Sequence, residues 1–188
     1  MAYCINPTEL PGVLVLEPQV FSDERGFFFE SFNQREFARA TGLDVPFVQD
    51  NHSRSVRGVL RGLHYQWPHP QGKLVRVVVG EVFDVVVDVR RHSPHFGRWV
   101  GLTLSAQNHR QLWVPPGFAH GYLAVSDVAE VLYKTTDYWY PEHEHALLWN
   151  DPQVAVKWPL HLLPTAPQLS RRDAQAGLLA QVRGNDSP

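Results

Sequence analysis

A chain of 188 residues with 44% hydrophobic residues, 19% charged residues and a net charge of -2 is long enough to bury its own core and too apolar for a disordered segment. It lacks the basic surplus of a nucleic-acid binder, and its single cysteine, Cys4, excludes an intrachain disulfide, a cysteine-based zinc site and a redox pair. With no apolar run approaching the roughly 18 residues of a membrane span and no basic and apolar leader at the start, a soluble cytoplasmic protein of one domain, residues 1–188, is expected.

In chain order, Val13 to Phe21 is apolar and β-prone, and Ser22-Asp-Glu-Arg-Gly reads as a turn before a second run, Phe27 to Phe29. An opening hairpin is expected there. Asn33 and Glu36 have capping-box spacing, and Phe37, Ala38 and Gly42 fit a short helix with a glycine stop. Pro46 to His52 returns to extended chain and leads into Arg57 to Gln71, where apolar residues alternate with Arg57, Arg61, His64 and Gln66 until Pro68 and Pro70 end the strand. Read for structure alone, this is an edge strand with a solvated polar face. Read for chemistry, it holds a histidine with two cations nearby, Arg61 and Lys73, suited to an anion or an enolate.

From Leu74 onward the pattern is β throughout: Leu74 to Val79, Val82 to Val89, Trp99 to Leu104, Gln111 to Val114, Gly121 to Val125 and Ala129 to Thr136. Turn residues separate these runs, as in an antiparallel sandwich or barrel and unlike βαβ units. Within Val82 to Val89, alternation puts Phe83, Val85, Val87 and Val89 on a core face and Val82, Asp84, Val86 and Asp88 on a face carrying polar groups. After Tyr140 the chain is loop-rich until Ser170 to Leu179, which reads as a short helix (about 170–180) capped by Ser170.

The 10 histidines raise the question of a metal. His143 and His145 lie in an acidic loop and His92 and His95 flank turn residues, so these four read as surface residues. A metal-holding cupin needs two histidines one residue apart, a carboxylate and a histidine after a Pro-x-Gly-x-x-His turn. Pro116-Gly-Phe-Ala-His120 supplies the turn, but Gln66 stands where the second histidine belongs and no glutamate follows at the right distance. Metal-free acid–base chemistry fits better, since a histidine base needs a carboxylate to hold its tautomer, a cation for developing charge and a separate proton donor. Tyr133, sharing a strand face with Val131 and Thr135, is either a core or rim aromatic or that donor. Asp173 is either a helix-cap carboxylate or the histidine's partner, and Tyr138 and Trp139 either stack on a flat ring or cover the barrel mouth.

Several ordered segments together resemble the dTDP-4-dehydrorhamnose 3,5-epimerase family, from about Val13 to Leu179. They are Phe-Ser-Asp-Glu-Arg-Gly-Phe-Phe-Phe-Glu, Phe-Val-Gln-Asp-Asn-His-Ser, Arg-Gly-Leu-His-Tyr-Gln, Gln-Gly-Lys-Leu-Val-Arg-Val, Gly-Glu-Val-Phe-Asp-Val-Val-Val-Asp-Val-Arg, Pro-Pro-Gly-Phe-Ala-His-Gly-Tyr, Leu-Tyr-Lys-Thr-Thr-Asp-Tyr and Trp-Asn-Asp-Pro. The resemblance implies an all-β, cupin-type jelly-roll barrel or sandwich with short flanking helices, a homodimer, and no metal or dissociable redox cofactor. It implies epimerisation at C3 and C5 of dTDP-4-dehydro-6-deoxy-D-glucose.

By the same resemblance His64 is the proton acceptor, Asp173 orients it, Tyr133 is the proton donor and Lys73 holds the C4 oxygen. Arg25, Glu30, Gln49, Asn51, Arg61, His120 and Glu144 would line the nucleotide-sugar site, with Arg25, Arg61 and Arg172 as diphosphate partners. The family's base-stacking aromatic falls at Tyr138 or Trp139. Arg172 stands where the family commonly has lysine. Regular alternation puts Arg61 and His64 on opposite strand faces, so a bulge near Gly62 is required if both meet one ligand. A single-site epimerase and a non-catalytic nucleotide-sugar-binding cupin are the alternatives.

Overall fold

The computed structural model of the chain describes residues 3–182. It opens with β1 (Tyr3–Pro7), β2 (Leu14–Pro18), β3 (Phe21–Asp23), β4 (Gly26–Phe28) and helix α1 (Gln34–Thr41). The body consists of β5 (Gln49–Val56), β6 (Leu60–Gln66), β7 (Lys73–Val79), β8 (Glu81–Asp88), β9 (Trp99–Ser105), β10 (Gln111–Val114), β11 (Phe118–Ala124) and β12 (Val128–Thr135). Beyond it lie β13 (Glu144–Ala146) and a one-turn helix, α2 (Arg171–Ala174), with short 3-10 turns around them. No helix among the described residues is long and apolar enough to cross a membrane.

The strands form a six-stranded sheet, β1-β2-β10-β7-β12-β5, and a five-stranded sheet, β13-β6-β11-β8-β9. Val75, Val77, Leu112 and Val131 of the first meet Val82, Val86, Leu104 and Phe118 of the second in one buried cluster, so the two sheets are the walls of the expected all-β jelly roll. A second cluster lies outside the five-stranded sheet, where Val85, Val87, Leu63 and Leu123 are covered by Leu147, Trp158 and Leu179 from the C-terminal segments. The expected division of β8 into a core face and a polar face is therefore corrected. Both faces are buried, and Asp84 and Asp88 point into the protein with no exposed surface.

Helix α1 closes the outer side of the six-stranded sheet. Asn33 caps it by accepting from the backbone N–H groups of Arg35 and Glu36, and Gly42 ends it in the left-handed region at φ 74°. Its buried Phe37 meets Trp113 edge-on at 5.4 Å. The opening hairpin is narrower than expected. Phe21–Asp23 pairs with Gly26–Phe28 as a separate ribbon, whereas Leu14–Pro18 pairs with β1, a strand the sequence pattern did not reveal, and with β10.

The C-terminal helix expected over 170–180 stops after Ala174. The backbone beyond it bonds elsewhere: Leu148 N–H donates to Gly177 O (2.8 Å) and Gly177 N–H to Ala146 O (3.3 Å). Asp151 fastens the next turn, its buried carboxylate accepting from the N–H groups of Gln153, Val154 and Leu179 at 2.8, 3.0 and 2.8 Å. These bonds replace the i→i−4 ladder that a longer helix would need.

Strand β6 is not an edge strand, because β13 flanks it on one side and β11 on the other. Its ladder with β11 pairs Arg61 with Tyr122 and His64 with His120, so Gly62 and Leu63 stand opposite Gly121 alone. This is the bulge expected near Gly62, and it turns Arg61 and His64 toward one cavity. Gly62 has φ 111°, and a Cβ there would lie 2.6 Å from Gly121 Cα and 2.7 Å from His120 O. Gly62→Ala should cost about 3 kcal/mol in urea denaturation, combining backbone strain with overpacking. Gly58→Ala is the control, since Gly58 also has a positive φ but its added Cβ meets nothing closer than 3.9 Å; equal losses in the two variants would refute the steric account.

Candidate active site

Between the two sheets a cavity of about 380 Å³ opens to solvent. The registers explain its lining. On β12, Val131, Tyr133 and Thr135 face inward and pair with Ser53, Asn51 and Gln49 of β5, while Lys73 of β7 lies opposite Thr135. Across the cavity, the inward side of β11 carries His120 and Tyr122, which pair with Val86 and Asp84 of β8. Antiparallel partners share a face, so alternation delivers all these side chains to one space.

Two histidine–carboxylate pairs stand on the five-stranded wall. His64 Nε2 is 2.6 Å from Asp173 Oδ1, and its Nδ1 is 4.0 Å from Glu144 Oε1. His120 Nε2 is 2.9 Å from Asp84 Oδ1 and 3.0 Å from Asp84 Oδ2, both residues being buried. Burial pushes the Asp173 carboxyl up, but the hydrogen bond and charge of His64 and the N–H and hydroxyl donors of Gly62 and Ser170 outweigh it and hold the group below the usual carboxylate range. Asp173 is thus ionised and only accepts, which places a proton on His64 Nε2 and leaves Nδ1 as the ring nitrogen turned away from Asp173.

The opposite wall supplies Tyr133 and Lys73. Burial raises the Tyr133 phenol above its ordinary value, with Tyr122 and Glu144 adding to the effect and Arg61 opposing it, so it keeps its proton. Lys73 Nζ donates to His64 O at 3.3 Å. Burial lowers its ammonium to about 8, against the opposing pull of Glu144 and Asp84. The chemical capacity of this cavity is proton transfer beside a stabilised negative charge.

A family model described as dTDP-4-dehydrorhamnose 3,5-epimerase matches residues 7–181. A protein of that name from Pseudomonas aeruginosa is 61% identical over 173 residues, spanning 92% of this chain and 94% of its own length. The chain belongs to the dTDP-4-dehydrorhamnose 3,5-epimerase family. It is accordingly an epimerase, an enzyme of the isomerase class. The crystal structure of dTDP-6-deoxy-D-glucose-3,5-epimerase from Legionella pneumophila Philadelphia 1, in complex with dTDP-4-keto-L-rhamnose, is similar with a TM-score of 0.92 and 50% identity, covering 96% of this chain and 95% of that one. That of a 3'-monoepimerase from Streptomyces bikiniensis, in complex with dTDP-quinovose, has a TM-score of 0.86 and 36% identity over 93% of this chain and 87% of that one.

In this epimerase the cavity gathers His64, Lys73, Tyr133, Asp173, Gln49, Asn51, Arg61, His120, Trp139, Glu144 and Arg172. It does not gather Arg25, Glu30 or Tyr138. Arg25 sits at the tip of the β3–β4 ribbon, exposed and paired with Asp23, and Glu30 follows that ribbon and accepts from Asn33 Nδ2. Tyr138 is exposed beside the rim, so of the two adjacent aromatics it is Trp139 that lines the cavity, its Nε1 donating to Glu144 Oε2 at 3.2 Å. Gln66 takes no place in the lining. Its side chain staples the following loop, donating to the carbonyls of His69 and Tyr138 and accepting from Tyr140 N–H.

Arg172 reaches the rim but is tied to the Glu144 carboxylate and, through Nη2, to Glu144 O at 2.8 Å. Ser53, Gln71, Tyr122 and Ser170 also line the cavity, and Asp84 stands behind His120. None of these was singled out as a site residue from sequence, although Ser170 was expected as a helix cap and Asp84 on a polar strand face. Asp84 carried a usable signal, because a carboxylate within a valine run must be paired if it is buried.

The Lys73 ammonium gives a pH dependence of definite sign. It is a cation below about 8 and a neutral amine above, so rising pH removes positive charge from the cavity. kcat/KM, which reports the free enzyme, is expected to fall on the alkaline side with an apparent pKa of about 8. Lys73→Arg should move that limb out of range, guanidinium being charged throughout. A wild-type profile flat to about pH 10, the range of an ordinary lysine, would refute the depressed value.

Proposed function

We propose that the epimerase, acting as a single jelly-roll domain, inverts C3 and C5 of dTDP-4-dehydro-6-deoxy-D-glucose to give dTDP-4-dehydro-L-rhamnose. Both carbons flank the C4 ketone, so each C–H is acidic once the enolate oxygen is stabilised. His64 Nδ1 removes the proton, and Asp173 supports the imidazolium. Lys73 holds the C4 oxygen as negative charge develops there. Tyr133, on the facing wall, delivers a proton to the opposite side of the same carbon. The electrons of the broken C–H bond pass to the enolate and return in the new one, so no oxidant or reductant is consumed. His64 and Tyr133 then exchange protons with solvent, and the cycle repeats at the second carbon.

The observation that carries this reading is the 2.6 Å His64–Asp173 pair sharing a cavity with a protonated phenol and a buried ammonium from the other sheet. Around them, Arg61 offers its guanidinium to the diphosphate and Trp139 offers its ring to the base. The nucleotide-sugar substrate and the free Cys4 fit a cytoplasmic enzyme. The likeness to a 3'-monoepimerase keeps single-site inversion as a second reading, since one base and one donor serve either chemistry.

In heavy water, with product trapped by a 4-ketoreductase and NADPH, deuterium is expected at both C3 and C5. Label at one carbon alone would establish the single-site enzyme. His64→Ala is expected to abolish exchange, a loss of at least about 1,000-fold in kcat, while dTDP affinity changes little. The reverse pattern, lost affinity with turnover retained, would remove His64 from the base role.

The enzyme is further read as a homodimer whose β3–β4 ribbon serves the partner's cavity. Phe21, Phe27 and Phe28 on the ribbon are 49, 61 and 65% exposed, an apolar surface that an isolated two-stranded ribbon cannot bury alone. Arg25 and Glu30, both implied as substrate ligands, sit on or beside it and away from their own cavity. Mixing His64→Ala with Arg25→Ala subunits should restore activity toward about a quarter of wild type, because half the dimers are mixed and each then has one intact site. If Arg25 served its own subunit, no mixture would recover activity.

A further inference from the structure

Among the cations of the cavity, Arg61 is held in an unusual way. Arg172 is bound to Glu144, but no carboxylate among the described residues lies at ion-pair distance from Arg61. Its Nε instead donates to Ser55 Oγ at 3.0 Å and its Nη2 to Arg54 O at 3.1 Å. Three of its five N–H groups are left for a ligand. Ser55 Oγ is 3.2 Å from the Tyr122 hydroxyl, which is 2.9 Å from Ser53 Oγ, which in turn is 3.4 Å from Val131 O.

The direction of this series follows from its two ends. A guanidinium only donates, so Ser55 Oγ accepts from Arg61 and its own hydrogen turns to the Tyr122 oxygen. A carbonyl only accepts, so Ser53 donates to Val131 O and receives the Tyr122 hydrogen. Each hydroxyl then donates once and accepts once, and no hydrogen is left over. Ser55 and Tyr122 are buried, which shields the middle of the series from competing water.

We infer that Tyr122 is a positioning residue for substrate binding: through Ser55 it fixes the Arg61 guanidinium before the diphosphate of the nucleotide sugar arrives. This rests on the proposed role of Arg61 as a diphosphate partner. An arginine on an open wall has many rotamers, and ordering it in advance removes that cost from binding. Without the Tyr122 hydroxyl the Ser55 hydrogen loses its acceptor and the hydroxyl no longer keeps a lone pair aimed at Nε. The phenol does not enter the chemistry itself, because its hydrogen is committed to Ser53.

The test is calorimetric titration of dTDP and of thymidine into wild-type enzyme, Tyr122→Phe, Ser55→Ala and Arg61→Ala, with steady-state kinetics on each. Tyr122→Phe is expected to weaken dTDP about 3- to 10-fold, the worth of one hydrogen bond, and to raise KM similarly with kcat within about 2-fold. Ser55→Ala should do the same. Thymidine, which carries no phosphate, should bind all four proteins alike, and Tyr122→Phe in an Arg61→Ala background should add nothing. If Arg61→Ala weakens dTDP but Tyr122→Phe and Ser55→Ala do not, the positioning role is overturned while the Arg61 reading stands. If Arg61→Ala leaves dTDP affinity unchanged, the Arg61 reading fails and this inference falls with it. Equal loss of thymidine and dTDP in Tyr122→Phe, or a fall in kcat alone, would also overturn it.

Discussion

Two residues of β6 against one of β11, at Gly62 and Gly121, set the geometry of the whole cavity. A regular ladder sends residues of odd and even spacing to opposite faces, and Arg61 and His64 are three apart. The shifted register brings both inward, toward a wall that already carries His120 and Tyr122. It also frees the Gly62 N–H from the ladder to support Asp173, so the distortion that aims His64 also helps hold its carboxylate. Because two backbones approach closely there, side chains are excluded from both strands: a Cβ on Gly121 would lie 2.4 Å from Arg61 O. The glycines are the condition for this crossing, and the functional side chains on either side depend on it.

Around that crossing the charges are distributed so that few are left unpaired. Asp84 and Asp173 each hold a histidine, and Glu144 is divided between Arg172, the indole N–H of Trp139 and the His64 ring. Burying a carboxylate without such a partner is costly, and each pair spends most of its charge locally. Arg61 and Lys73 are exceptions, since both bond to neutral oxygens, and burial lowers the Lys73 ammonium. An oxyanion arriving beside Lys73 would supply the missing counter-charge, which is the electrostatic condition for stabilising an enolate more strongly than a ketone.

Much of this was legible in the sequence where a local rule decides it. Strand periodicity gave the β body, Asn33 and Gly42 bounded α1, and the three-residue spacing of Arg61 and His64 required a bulge once the resemblance put both at one ligand. What stayed hidden depended on contacts between distant segments. β1 is a short strand with no pattern of its own. The helix expected after Ser170 ended early because backbone near Gly177 pairs beside β13. The polar face assigned to β8 proved to be interior, since alternation says which residues share a face but not what covers that face. Tyr122 could be placed on a strand but not beside Ser53, because their meeting depends on how two sheets oppose. Arg25 and Glu30 came from resemblance alone, and no local pattern in the sequence says that the β3–β4 ribbon lies away from the cavity of its own chain.

The opposed sheets also bear on how one site can serve two carbons. His64 and Tyr133 belong to different walls, so under the proposed mechanism a sugar ring between them would meet a base on one side and an acid on the other, whichever carbon is presented. Inversion at either centre asks nothing more of the catalytic groups, as both C–H bonds flank the same carbonyl. On that reading, whether one centre or two is inverted would be decided by whether the ring, anchored through its diphosphate, can turn within the cavity without losing Lys73 at the C4 oxygen. That places the difference between double and single epimerases in the anchoring and the room around the ring, and it is consistent with a 3'-monoepimerase having the same architecture at 36% identity. If Arg61 holds the diphosphate as proposed, it would thereby bear on stereochemical outcome as well as affinity.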